Sequence, residues 1–412
     1  MKPPVVFVLT HESNPQRTNK STSIISLALT RSLGRQGIAV VRVHPNHLDR
    51  SLLSRYCKRV EVCPNLHETE DGLVEFLLAM APRYEGVRVL VPASDDCAYF
   101  LAKHFEKLCG LFAIVGPSWQ TMQRIIDKKS QYEQAQALAL PIPETYYPSS
   151  VAQVQELAGK LCNYPYVVKP TIAHQWRLAS MQSVSKGKKG FAVANARELI
   201  ERYGEIAPRD PNVMVQEVIG GRDERLYTFL AYCDSRCEPL AYCVRKKIRQ
   251  MPLDFGYCTA TVTCRDDTVV AQSRRLLQGV GYTGICGVEW KLDPRTQTYK
   301  LIEINARAVN TIGIAAACGV DIPYIAVLDK LGRAPAPITT WREGVTWVNI
   351  VQDIWAAREL HQAGHLSLRQ WWDSITGPTV DAVFSSADPL PFLGYFAEFV
   401  GTALGGRLLG KQ

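Results

Sequence analysis

Residues 1–115 alternate short apolar runs with amphipathic segments. Val5–Leu9, Ala39–Val43, Val87–Pro92 and Phe112–Val115 read as buried strands, and Ser21–Leu33, Leu73–Met80 and Cys97–Leu108 as helices between them. Strands separated by helices predict a parallel sheet with right-handed crossovers, whose ligands sit at the strand C-terminal ends. The loops there are Thr10-His11-Glu12-Ser13-Asn14 and Ala93-Ser94-Asp95-Asp96. Asp95 and Asp96 read first as the N-cap of the following helix, with a substrate-facing role as the alternative. No G-x-G-x-x-G follows the first strand, which argues against a dinucleotide site.

From Gly116 the pattern changes. Thr121–Leu140 reads as one helix containing Asp127-Lys128-Lys129, stopped by Pro141-Ile142-Pro143. Tyr166-Val167-Val168 is a short apolar strand that ends on Lys169-Pro170, an odd place for a surface charge. A polar loop rich in Ser, Gly and Lys runs from Thr171 to Gly190. Phe191–Ala194, Val213–Val218, Leu226–Tyr232 and Leu240–Val244 are strand-like. Glu198–Tyr203, Arg274–Gly279, Ala308–Cys318 and Ile322–Leu331 are helix-like. Residues 336–412 hold Trp341, Trp347, Trp355, Trp371 and Trp372 among short mixed elements. Pro391–Leu409 has apolar residues near helical spacing and only Glu398 and Arg407 as charges. It reads as a helix packed on its own protein or on a homodimer mate, with membrane contact as the less favoured alternative.

A chain of 412 residues implies two or three domains. A net charge of +8 is mild: it suits small anionic substrates such as nucleotide phosphates and is too small to argue for nucleic acid. The 12 cysteines include no C-x-x-C pair and read as unpaired thiols of a cytoplasmic protein. The apolar run Val5–Leu9 meets His11 and Glu12 at once, so no signal peptide is expected, and no uninterrupted apolar stretch reaches the ~20 residues of a membrane span.

The chemistry concentrates at two acidic stations, Gly287-Val288-Glu289-Trp290 and Glu303-Ile304-Asn305-Ala306-Arg307, joined by Asp293-Pro294-Arg295-Thr296-Gln297 as the turn of a hairpin. Strand alternation puts Glu303, Asn305 and Arg307 on one face, and a paired neighbour brings Glu289 beside them. Two carboxylates and an amide oxygen suit Mg²⁺, and an arginine beside them suits a phosphoryl group.

The ordered set Lys128, Lys169, Gln216-Glu217-Val218-Ile219, Asp223, Glu289 and Glu303-x-Asn305-x-Arg307 resembles the ATP-grasp carboxylate–amine ligases, over roughly residues 1–335. The D-aspartate ligase-like branch looks nearest, through Val244–Pro252 with Phe255-Gly256, and through Lys169-Pro170 followed by His174 and Trp176. The resemblance implies an α/β fold with α+β lobes: an N-terminal Rossmann-like pre-ATP-grasp domain over 1–115, a two-lobed ATP-grasp domain over 116–335 (lobes about 116–215 and 216–335), and a C-terminal extension over 336–412. It implies amide formation through an acylphosphate, with ATP and Mg²⁺ (or Mn²⁺) and small carboxylate and amine substrates, amino acids or their derivatives. An ATP-grasp kinase, a carboxylase-type enzyme and a non-catalytic nucleotide-binding regulator are the alternatives.

By the same resemblance, Lys128 and Lys169 meet ATP phosphates, and Gln216, Glu217, Val218 and Ile219 form the hinge that reads the adenine edge. Asp223 holds ribose hydroxyls. Glu289, Glu303 and Asn305 ligate the metal, Arg307 meets the transferred phosphoryl or the acyl group, and Lys247 and Arg249 lie at the acceptor side of the phosphates. The family's phosphate loop is often rich in glycine. Here Leu178–Gly190 has glycines only at its end and carries lysines instead, which suggests a lid that closes Lys189 over phosphate.

Overall fold

The computed structural model describes residues 2–11, 20–46, 49–172, 176, 181–186, 188–253 and 255–397. Five strands, β1 (Val5–Leu9), β2 (Ala39–His44), β3 (Cys57–Val62), β4 (Arg88–Pro92) and β5 (Ala113–Ile114), form a sheet in the order β3-β2-β1-β4-β5. Every pair is parallel, as the alternation of strand and helix requires. β3 was not among the expected strands: it is an edge strand, with Lys58, Arg59 and Val62 exposed, so its charges masked its pattern. The strand order reverses between β1 and β4, which places the Ala93–Asp96 loop at the switch point. The N-cap of the helix Asp95–Lys103 is Ser94, whose side chain accepts the Cys97 N–H; Asp95 and Asp96 lie in its first turn.

A small antiparallel sheet follows, with β6 (Thr145–Tyr146), β7 (Tyr166–Pro170), β8 (Phe191–Val193) and β9 (Val213–Glu217) in the order β6-β9-β7-β8. The helices Val151–Lys160 and Ala196–Ile206 cover it through Val154, Leu199 and Tyr203, which meet Val168 and Val215 in one core.

The large sheet has seven strands: β10 (Leu226–Cys233), β11 (Pro239–Met251), β12 (Tyr257–Cys264), β13 (Gly284–Asp293), β14 (Thr298–Asn305), β15 (Thr346–Val348) and β16 (Thr379–Asp381), in the order β14-β13-β10-β11-β12-β15-β16. Its two faces follow from side-chain alternation. Phe229, Ala231, Tyr242, Val244 and Val288 enter a core with the helices Trp119–Ile126, Lys128–Ala137 and Asp267–Val280. Leu230, Tyr232, Ala241, Cys243 and Ile285 enter another, with Ile24, Leu27 and Leu33 of the N-terminal helix Lys20–Arg35. The same face continues into Thr228, Arg245, Lys247 and Glu289. One face is therefore apolar where it meets the N-terminal sheet and polar beyond it.

The large sheet runs across the boundary expected at residue 335, because β15 and β16 extend it. The helices Ile350–Gln362 and Leu368–Ile375 pack against its β11, β12 and β15 strands. Of the helix expected over Ala308–Cys318, only Gly313–Ala317 is α-helical. Residues 390–397 are helical, with Tyr395 buried in the core shared with the N-terminal helix and Leu393 and Phe396 exposed. The described part of the apolar tail thus packs on its own protein; residues 398–409 lie outside the described residues. Among the described residues, no helix is long and apolar enough to cross a membrane.

The helix expected over Thr121–Leu140 is two helices, Trp119–Ile126 and Lys128–Ala137. Asp127 between them is extended (φ −85°, ψ 123°), and its carboxylate accepts the N–H groups of Lys129 and Ser130. This N-cap geometry explains the break, and Asp127→Ala is expected to cost about 1 kcal/mol of stability. Urea denaturation of the variant beside the parent protein measures it.

Candidate active site

The fourteen residues assigned above to phosphate, base, ribose, metal and acyl contacts all line one cleft of about 1940 Å³. At its centre β13 and β14 pair so that Glu289 stands directly opposite Glu303, and Gly287 opposite Asn305, with a bulge between Glu289 and Trp290. Directly opposed like charges destabilise a sheet unless they are compensated. Lys128 Nζ lies 2.7 Å from Glu303 Oε2, and Arg245 Nη2 lies 3.9 Å from Glu289 Oε1. The Lys128 ammonium is the main reason that the Glu303 carboxyl is held well below the usual carboxylate range. Asn305 Nδ2 is 3.4 Å from Glu303 Oε1, so amide and carboxylate share one place. Among the described residues, no three His, Cys, Asp or Glu side chains are grouped to hold a metal; the acid face offers two carboxylates and one amide.

The helix break at Asp127 is what turns Lys128 inward. As the first residue of the second helix, Lys128 is anchored by its N–H on the Thr171 carbonyl (2.8 Å) and buried against Glu303, while Lys129 turns out over the Tyr147 ring. Lys169 ends β7 at the cleft. Burial, and then the Lys128 charge, push its ammonium down to about 7. Lys189 reaches from the small sheet to the large one, with its ammonium 3.8 Å from the centre of the Tyr257 ring. Of the lid expected over Leu178–Gly190, residues 178–180 and 187 lie outside the described residues, as does His174. Trp176 is buried and donates its indole N–H to Asp210 at 2.8 Å.

Several expected roles change once partners are visible. The Glu217 carboxylate accepts the Glu144 N–H at 2.9 Å and pairs with Arg295 at 2.6 Å and with Lys300. These contacts tie the hinge strand to the β13–β14 hairpin. Gln216 donates to Thr145 Oγ1 at 2.8 Å, the Val218 N–H is taken by the Pro165 carbonyl at 3.2 Å, and Ile219 is buried. Asp223 opens a short 3-10 turn at the cleft wall, where its charge acts on Lys291. Lys247 Nζ donates to Gln250 Oε1 at 3.0 Å. Arg249 is not a loose cation at the phosphates: its Nη2 lies 2.7 Å from Asp353, a fully buried carboxylate. Arg307 does not share the β14 face, because that strand ends at Asn305. It sits on the turn beyond, with Nε at ion-pair distance from Asp95 (2.8 Å) and Nη2 donating to the same carboxylate (3.0 Å).

Sequence pattern alone assigns no role to Arg245 or Asp353, and offers Asp95 first as a helix N-cap with a substrate-facing role as the alternative. Arg245 is buried, and its Nε has no hydrogen-bond partner among the described residues; nor has Thr228 Oγ1, which stands opposite both Arg245 and Glu289. Alternation in Arg245-Lys246-Lys247 is the signal that could have found Arg245. Asp95 and Asp353 need contacts across 212 and 104 residues, which no local pattern carries.

Lys169 yields a sign-specific prediction. Its folded pKa of about 7 lies below the ordinary lysine value of 10.5, so folding penalises the protonated form. That penalty is full below pH 7 and vanishes towards pH 10.5. Lys169→Met is therefore expected to be more stable than the parent at pH 6–7, with the gain shrinking as pH rises to 10. Denaturation midpoints across that range check it.

Residues 238–352 match the family described as ATP-grasp in the biosynthetic pathway with Ter operon, a segment that holds both acidic stations. The chain is 25% identical over 308 residues to a D-aspartate ligase from Enterococcus faecium, covering 71% of this chain and 72% of that protein. It is 22% identical to the mitochondrial arginine-specific large chain of carbamoyl phosphate synthase from Neurospora crassa, covering 74% of this chain but only 25% of that one. Among solved structures it resembles an L-amino acid ligase from Bacillus licheniformis (TM-score 0.57, 15% identity, 80% of this chain and 75% of that one). It also resembles the biotin carboxylase–β-γ-ATP complex from Campylobacter jejuni (TM-score 0.60, 16% identity, 83% and 74%). The chain carries an ATP-grasp domain and is homologous to a D-aspartate ligase.

Proposed function

We propose that this cleft binds ATP with Mg²⁺ and joins a carboxylate to an amine, both amino acids or their derivatives, through an acylphosphate. The observation that carries the reading is the Glu289–Glu303 pair, two opposed carboxylates facing Lys128 and Lys169 in one cleft. A sheet gains nothing from that pairing by itself, and an all-oxygen face of this kind suits a divalent ion whose remaining ligands are water and phosphate. Glu289, Glu303 and the Asn305 amide oxygen are the proposed ligands, and the ion would neutralise charge on the phosphates.

In the first step a carboxylate oxygen bonds to the γ-phosphorus, the bond from that phosphorus to the bridging oxygen breaks, and ADP leaves. In the second the amine nitrogen bonds to the acyl carbon, the carbon–oxygen bond to phosphate breaks, and nitrogen sheds its proton as phosphate departs. The chain's contribution is positioning and charge. Lys128 and Lys169 are assigned to phosphate oxygens, and phosphate contact favours the charged form of a lysine poised near neutrality. Gln216 and the backbone of 217–219 are assigned to adenine, and Asp223 to ribose. Lys189 over Tyr257 bridges the sheets and shields the reaction from water. Arg307, held by Asp95, supplies donors at the acyl end, and Lys247 faces the same space.

The likeness to biotin carboxylase and carbamoyl phosphate synthase favours one second reading, a carboxylase-type reaction. Hydroxylamine separates the two: it traps an acylphosphate as a hydroxamate. A ligase gives hydroxamate with a carboxylic substrate, whereas a carboxylase-type enzyme gives bicarbonate-dependent ADP release without it. Binding of MgATP with no ADP release, with bicarbonate or with any amino acid as the carboxylate, defeats both. Within the ligase reading, Glu303→Gln is expected to lower ADP release by on the order of a hundredfold or more with unchanged circular dichroism. Turnover at the parent rate would refute the assignment of Glu303.

A further inference from the structure

The two helices Ile350–Gln362 and Leu368–Ile375 contribute Gln352, Glu359, Gln370 and Ser374 to the cleft lining, and the turn between them contributes His365. The first lies against β11 and β12, and the second against β15 and the first helix. The acid pair sits on β13 and β14, so β13 and β11 are two strand spacings apart, about 10 Å. The hinge is tied to the opposite flank, through Glu217, Arg295 and Lys300. A nucleotide reaching from the hinge to the acid pair therefore leaves the helical end of the cleft to another molecule.

One buried ion pair joins that wall to the sheet. Asp353 is fully buried and accepts from Arg249 Nε (2.9 Å), Arg249 Nη2 (2.7 Å), Thr259 Oγ1 (2.7 Å) and Trp371 Nε1 (2.9 Å). Arg249 Nη1 donates to Ser374 Oγ at 2.7 Å. A guanidinium has five N–H donors, and these bonds commit three, which leaves one on each terminal nitrogen. Asp353 neutralises the charge, so Arg249 brings oriented donors to the cleft rather than net positive charge. A triphosphate calls for charge. With Arg249 neutralised and the Glu359 carboxylate beside it, this end wall offers no excess positive charge, and its two remaining donors suit an oxygen acceptor of a smaller substrate.

We infer that the C-terminal helices build the subsite for the amine substrate, a polar molecule with a hydrogen-bond-accepting oxygen, and that Asp353 positions Arg249 to meet it. This rests on the ligase reading above. Gln352 and His365 line the same end and complete its polar wall.

The test uses the full chain with MgATP. The amino acids, in both enantiomers, serve as carboxylates with hydroxylamine as the amine; the same panel then supplies the amine. Hydroxylamine is small and needs no end wall. In Asp353→Asn, hydroxamate formation and the KM for ATP are expected to stay within about twofold of the parent, while the KM for the amino acid used as amine rises about tenfold or more. Asp353→Glu is expected to recover part of that loss. Should Asp353→Asn fail to fold, His365→Ala, at an exposed position, is expected to raise the amine KM about threefold or more at constant ATP KM. An unchanged amine KM in these variants, or an equal loss in hydroxamate formation or ATP KM, overturns this inference alone. No hydroxamate from the parent protein with any acid removes the ligase reading, and this inference with it.

Discussion

Two carboxylates, Glu289 and Glu303, face each other across a hairpin, and the rest of the cleft is arranged around that repulsion. The pair persists because cations reach it from both sides. Lys128 arrives from a helix that Asp127 starts at that point, and Arg245 arrives from a strand two places away in the sheet. Both cations are buried, so the compensation acts where the field is weakly screened. Opposed carboxylates that neighbouring cations must compensate are consistent with the divalent-ion site proposed above.

The large sheet makes the cleft and the core from one alternation. Along β10, β11 and β13 the same face passes from Leu230, Cys243 and Ile285, packed on the N-terminal helix, to Thr228, Arg245 and Glu289 in the cleft. The N-terminal sheet therefore does more than cover apolar surface. Its switch-point loop delivers Asp95 to Arg307, so an arginine beyond the end of β14 is oriented by a domain more than two hundred residues earlier. A rotation of the N-terminal sheet relative to the large one would be felt directly at that guanidinium.

What the sequence disclosed follows the range of the interactions. The β13–β14 hairpin, its turn and the two acidic stations were legible because period-2 alternation and turn chemistry are local. The lysine at the end of β7 was legible because a charge at the end of an apolar run is locally anomalous. The break at Asp127 was missed because the apolar spacing continues through it. β3 was missed because an edge strand carries charge on both sides. Glu217, Arg249 and Arg307 were placed in the cleft, but their partners were not legible. Those partners, Lys300, Asp353 and Asp95, come from other elements, and only the folded sheets set the distances.

Those partners also sort the charge of the cleft. Arg249 is neutralised by Asp353, Arg307 by Asp95, and Lys128 by Glu303. Lys169, Lys189 and Lys247 have no carboxylate within ion-pairing distance among the described residues, and each is supported by something else: a strand end, an aromatic face and the Gln250 amide. Arg249 and Arg307 are thus oriented donors, while these lysines have no ion-pair partner among the described residues. Compact ammonium groups on flexible stems can follow a phosphoryl group as it moves from one oxygen to another, whereas a planar guanidinium locked by a carboxylate fixes a single direction. The division matches a reaction in which phosphate travels and the organic substrates must not.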